Sequence, residues 1–166
     1  MMRHWNQCAP LPLRLVLGFG FIYHGFPKLS SIAGHDHFVG MLQGIGVPSP
    51  EAMAWLVAMI EVVGGLALIL GTLVAIVSAI LTINMLVAMW TVHIPHGFSF
   101  MNITGQTESG PTFGMPGYEV NLLYIAGLLA LVLGGAGTWS LDRRRADRAT
   151  EMRAPTTHVE PVPPAR

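Results

Sequence analysis

Charge is what this sequence has least of. Only 11% of its 166 residues are Asp, Glu, Lys or Arg, against roughly 25% in an ordinary soluble domain. Between residues 52 and 107 the single formal charge is Glu61, and residues 120–141 carry none. So little polar surface does not cover a water-facing globule, and uncharged runs of that length read as membrane spans. Nine basic residues cancel nine acidic ones, so no positive excess argues for a nucleic-acid partner. Cysteine is nearly absent as well. Cys8 stands alone, which excludes an internal disulfide and a Cys-x-x-Cys relay, and with them intramolecular thiol exchange. Lysine is scarce: Lys28 is the only one beside eight arginines, a usage typical of bacteria with GC-rich genomes.

What is present is apolar: 52% hydrophobic residues and a mean hydropathy of +0.54. The pattern predicts an all-α integral membrane four-helix bundle occupying residues 1–142, with spans at about 11–29, 52–70, 73–92 and 120–139. Gly71-Thr72 is the only break between spans two and three, whose combined length is about twice a bilayer, so the chain turns back there. Trp5, Trp55, Trp90 and Trp139 fall near span ends, where amphipathic rings prefer the headgroup zone. Arg3 and Arg14 precede or open span one, and Arg143, Arg144, Arg145, Arg148 and Arg153 follow span four, whereas the opposite side has Lys28 alone. The positive-inside rule then places both termini in the cytoplasm of a bacterial cell, with the protein in its inner membrane and loops 34–51 and 93–119 outside. Ser31-Ile32-Ala33 imitates a cleavage site, but Arg14 interrupts the would-be apolar core and His24 and Lys28 follow it, so no cleavage is expected. The basic, Pro-rich segment 143–166 is expected to be a cytoplasmic tail, disordered from Ala146 onward.

Glu61 is the first candidate for chemistry. A carboxylate about 13 Å along span two must face other helices, pair with a donor or stay protonated. Gly64 and Gly65 follow at i+3 and i+4, so a neighbouring helix can approach on the same face. Glu61 reads either as a proton carrier or ligand-orienting group, or as a protonated strut between helices. Arg14, Gly18, Phe21, Gly25 and Lys28 share one stripe of span one. Arg14 is the second catalytic candidate, with snorkelling to the headgroups as the plainer alternative for both it and Lys28. His24, His35, His37, His93 and His96 all fall at or beyond the outer surface under this topology. Facing imidazoles suit haem, and a His cluster suits copper or zinc, but this spacing singles out neither, and no metal is assigned. Loop 93–119 is longer than an ordinary connection and reads as a lid or docking surface. In span four, Ala126, Ala130 and Gly134 form a small-residue packing seam.

These residues, in this order, resemble the DoxX family of small bacterial membrane proteins. Arg14-x3-Gly18-x2-Phe21-x2-His24-Gly25-x2-Lys28 is similar to the family's first-helix signature, and Glu61-x2-Gly64-Gly65-x2-Leu68-x2-Gly71 to its second. His96-Gly97-Phe98, Gly117-x-Glu119 and Gly135-x-Gly137-x2-Ser140-Leu141-Asp142 complete the set, which spans residues 14–142. The resemblance implies a four-helix bundle. The family takes its name from a subunit of an archaeal thiosulfate:quinone oxidoreductase, and other members are associated with quinone responses or with oxidative-stress and sulfur-transfer complexes. Fold carries over more readily than reaction. The expectation is a membrane subunit that supports quinone-linked redox chemistry, with membrane or periplasmic protein partners besides the lipid bilayer. Glu61 and Arg14 would lie beside a buried cavity, and His24, Lys28, His93, His96 and Glu119 would hold a cofactor near its mouth. Quinone is the leading cofactor, ahead of haem or copper. The rival readings are a non-catalytic accessory subunit and a small proton-coupled transporter using Glu61.

Overall fold

The computed structural model describes residues 8–153, and the chain there is mostly helical. Helix α1 (Pro10–Ser30) starts with proline in its first turn, where a missing N–H costs nothing. Its buried residues Arg14, Leu17, Gly18, Phe21 and Gly25 recur at spacings of three and four, forming one inward stripe. Ser31 breaks the helix in an extended conformation, and its side chain accepts from the Gly34 N–H to cap α2 (Ile32–Gly44). Helix α3 (Pro50–Leu70) ends at Gly71, whose left-handed φ of 70° suits glycine. Helix α4 (Val74–Ala88) continues as a π-helical turn (Met89–His93) and a 3-10 turn (Ile94–His96). After an antiparallel hairpin, β1 (Ile103–Thr107) with β2 (Gly110–Phe113), come α5 (Glu119–Gly134) and α6 (Leu141–Arg153).

Helix α1 packs on α3 and α5, and α4 packs on the same two, so α3 and α5 sit across from one another. The α1–α3 contact is the most extensive and the tightest. A Cβ on Gly18 would lie 2.6 Å from the Gly65 carbonyl oxygen, and one on Gly65 would lie 2.5 Å from the Gly18 carbonyl oxygen. Only glycine lets the two backbones come this close. Leu17, Phe21, Leu68, Val74, Leu81, Leu128 and Leu131 form the main core, and Val39, Leu42 and Ala54 seat α2 on α3. Many large apolar side chains face outward, among them Val16, Phe19, Leu66, Ile76, Ile83, Leu123 and Leu133. Two helical stretches, Pro50–Leu70 and Val74–His96, are long and apolar enough to cross a membrane, and Glu119–Gly134 is apolar but shorter. That outward face suits lipid, where apolar side chains carry no exposure cost.

Four local expectations are corrected. Residues 34–51 are not simply a loop, because the Ser31 cap and the apolar spacing of Phe38, Val39 and Leu42 fold their first part into α2. The chain is not purely helical, because loop 93–119 contains the hairpin. The last apolar helix stops at Gly134 rather than Trp139, because Gly135 and Gly137 take φ of 74° and 76° and turn the chain. Residues 146–153, expected to be disordered, belong to helix α6: Ser140 Oγ accepts from the Arg143 N–H at 3.1 Å, and Arg143 pairs with Asp147 one turn on. Trp5 and the rest of the tail lie outside the described residues.

Candidate functional site

A cavity of about 330 Å³ opens among α1, α2, α3, α4 and α5. Apolar side chains line most of it: Phe21 from α1, Phe38 and Leu42 from α2, Val57 from α3 and Met85 from α4. Its wall on α1 and α3 is charged. Lys28 Nζ lies 2.6 Å from Glu61 Oε2, and Glu61 is only 7% exposed. Three local features build this pair. Gly25 faces Glu61 and Ala58, where an added Cβ would lie 2.8 Å from Glu61 Cβ and 3.1 Å from the Ala58 carbonyl oxygen, so α1 and α3 touch at that level. Lys28 lies near the end of α1, from where its long stem reaches the carboxylate. The Phe38 ring lies 4.3 Å from Lys28 Nζ, a cation–π contact. Asn84 Nδ2 donates to the other carboxylate oxygen at 3.5 Å. His35 Nδ1 donates to the Lys28 carbonyl oxygen at 3.1 Å, and its ring stacks on Trp55 at 4.3 Å.

The π-helical turn falls on this cavity. Ala88, Thr91, Val92 and His93 all line it. A π-turn inserts one residue into the helix and re-aims the side chains that follow. His93 Nδ1 lies 2.9 Å from the Pro116 carbonyl oxygen, which ties the turn to the segment leading into α5. His24 also lines the cavity.

Of the expected site residues, Glu61, Lys28, His24 and His93 share this cavity, whereas Arg14, His96 and Glu119 do not. Arg14 was expected beside Glu61. It lies eleven residues, about 16 Å, along α1 from Gly25, the position level with Glu61. Its guanidinium, 1% exposed, donates to the carbonyls of Leu68, Ile69, Ala136 and Trp139 at 2.7–2.9 Å. It closes the free carbonyl end of α3 and the turn after α5 with a single side chain. Next to it, Asp142 accepts from the Leu73 and Val74 N–H groups at 2.8 and 2.9 Å and so caps α4 from a distant segment. Arg14 is therefore a fastener of the opposite end of the molecule. Glu119 Oε2 accepts from the Phe100 N–H at 3.0 Å, holding the loop against the start of α5. His96 lines an adjoining cleft with Asp36 and His37, which shares Met41 and Met115 with the cavity. Among the described residues, no three His, Cys, Asp or Glu side chains come together as metal ligands.

Two residues of the cavity escaped the sequence reading. Asn84 and Asn121 are the only amide side chains in α1, α3, α4 and α5, and both line the cavity. That rarity was the available signal, since an amide in an apolar helix needs a buried partner. The charged residues drew attention away from it.

Comparison with known proteins agrees with this architecture. The DoxX family model matches residues 9–94. An uncharacterized membrane protein of Mycobacterium tuberculosis is 30% identical over 83% of this chain and 82% of its own length. CatD of Bacillus subtilis, whose name calls it a candidate oxidoreductase, is 33% identical over 55% of this chain and 65% of its own. An uncharacterized protein of Haemophilus influenzae is 30% identical over 80% of this chain and 87% of its own length. No solved structure matches. The family match covers the helices that carry Arg14, Lys28, Glu61 and Asn84, and this membrane protein belongs to the DoxX family.

Proposed function

We propose that this DoxX-family protein is a four-helix subunit of a bacterial inner-membrane redox assembly and binds a quinone beside the Lys28–Glu61 pair. The observation that carries the reading is that pair, 2.6 Å apart on the wall of a mostly apolar cavity of about 330 Å³. Ligand cavities have this character: apolar walls, a few placed polar groups, and a volume from roughly 300 Å³ upward. The residues present fit a quinone head. Lys28 offers hydrogens to a carbonyl oxygen, and Phe21 and Phe38 offer apolar faces to a ring. When bound, a quinone supplies a two-electron, two-proton couple. Lys28 donates to the oxygen and orients it, Glu61 holds Lys28 in place, and the carboxylate can hold a proton exchanged at that atom. The apolar lining excludes bulk water from the exchange.

The likeness to CatD supports a redox setting. A subunit role is supported by the exposed apolar side chains of the hairpin and its flanks, Phe98, Phe100, Ile103 and Phe113. In this reading α1, α3, α4 and α5 cross the membrane, with residues 135–140 completing the short α5, about 24 Å long. The test is direct. Protein purified in detergent is extracted with organic solvent and assayed for co-purifying quinone, then titrated with a short-chain ubiquinone while the fluorescence of Trp55 and its fellows is followed. Saturable quenching that Lys28→Met weakens about tenfold or more supports the site. Absence of both co-purifying quinone and saturable binding would overturn it.

A further inference from the structure

The cavity has a polar feature that the ion pair leaves unused. Asn121 on α5 is 4% exposed and lines the same space. Its one hydrogen bond among the described residues runs from Nδ2 to the Met85 thioether sulfur at 3.5 Å, and a thioether is a weak acceptor. A buried amide served only by sulfur is costly unless something else completes its bonding. His93 stands in the same lining. The Pro116 carbonyl can only accept, so the hydrogen of a neutral His93 ring resides on Nδ1. Nε2 is thereby left as a lone-pair acceptor. Asn121 belongs to α5, which sits across from α3 and Glu61.

We infer that Asn121 and His93 form a second polar end of the cavity, so that its ligand is a ring bearing oxygens on two opposite edges. A para-dione or its diol fits; an amphiphile with one polar head does not. One edge oxygen meets Lys28 and Glu61. The other accepts from Asn121 Nδ2 as a carbonyl, or donates to His93 Nε2 or Asn121 Oδ1 as a hydroxyl. The two amide atoms and the tautomer-fixed imidazole therefore serve both oxidation states of such a ring without rearrangement. This deepens the quinone reading and rests on it.

The test compares 2,3-dimethyl-1,4-naphthoquinone with 2,2-dimethyl-1-tetralone, which keeps one carbonyl and a similar ring. Substitution at both ring positions prevents addition of the exposed Cys8 thiol. Binding is measured by calorimetry on the full chain in one detergent, for wild type, Asn121→Leu and Asn121→Ser, alongside each variant's melting temperature. Wild type is expected to prefer the dione by about tenfold or more. Both variants are expected to lose that preference by weakening the dione alone, with the tetralone unchanged. His93→Phe is expected to weaken the diol form more than the dione. Equal binding of dione and tetralone by wild type, or an Asn121 effect of equal size on both, would sink the two-ended site while leaving the quinone reading intact. Binding of neither compound would sink both.

Discussion

A buried ion pair and a buried cation held by backbone carbonyls obey different rules, and this chain contains one of each. Lys28 and Glu61 neutralise each other, so removing either alone leaves an uncompensated charge in an apolar setting, a loss of about 3–5 kcal/mol in comparable pairs. Lys28→Met and Glu61→Leu should each lower the melting temperature markedly. Lys28→Met/Glu61→Leu together should recover most of the loss, because both desolvation costs vanish. The recovered double variant should still bind no quinone, which separates stability from function in one set of melts and titrations. Recovery of stability together with ligand binding would exclude the pair from the site. Arg14 follows the other rule. Four carbonyls share its guanidinium, and an ammonium has only three hydrogens in a different geometry. Arg14→Lys should therefore destabilise the fold by about 1–3 kcal/mol and leave the quinone affinity of the folded fraction unchanged. A changed affinity at unchanged stability would restore Arg14 to the site, where the sequence had placed it.

At the scale of elements, the α1–α3 contact depends on paired glycines, and its surroundings supply the control. Gly65→Ala should cost about 1–3 kcal/mol, since the new methyl meets the Gly18 carbonyl and Ile22 with no slack. Gly40→Ala on α2 meets nothing within 4 Å and should be neutral or stabilising by up to about 1 kcal/mol. Similar melting shifts for the two would show that α1 and α3 are looser than the structure has them. The legibility of each element follows from the same physics. Helices α3 and α4 part around Gly71-Thr72, the one break in an uninterrupted apolar run, and such a break is plain in one dimension. Helix α2 was hidden because His35, Asp36 and His37 masked its apolar spacing, and its Ser31 cap is a single residue. The π-turn after Ala88 leaves no mark in composition, because it is a hydrogen-bonding shift rather than a residue preference. The site was half legible. Glu61 stood out as a lone charge in an apolar run, but its partner did not. A lysine at a helix end has an ordinary surface role, and only the approach at Gly25 brings Lys28 to the carboxylate.

For the molecule as a whole, the orientation argument gains strength from the ion pair. The basic residues gather at one end: Arg14 joins α3 to the turn after α5, and Asp142 and Arg145 of the arginine-rich α6 bond to Leu73, Val74 and Thr72. The hairpin and α2 occupy the other end, whose only Lys or Arg among the described residues is Lys28. That one exception is offset by Glu61 at 2.6 Å, so the hairpin end presents no free positive charge from the helices to hold it in the cytoplasm. The expected arrangement has α6 inside and the hairpin outside. A fluorescent protein that matures only in the cytoplasm, fused after Arg166, should glow. A phosphatase active only outside the inner membrane, inserted between Glu108 and Ser109 at the hairpin tip, should also be active. Replacing Arg143, Arg144, Arg145 and Arg148 with alanine should weaken the bias and yield a mixed population, whereas Lys28→Met/Glu61→Leu should leave it unchanged. A silent C-terminal reporter with an inactive hairpin phosphatase would invert the molecule and move the mouth of the cavity to the cytoplasmic face. Partners at the hairpin would then have to be cytoplasmic proteins rather than periplasmic ones.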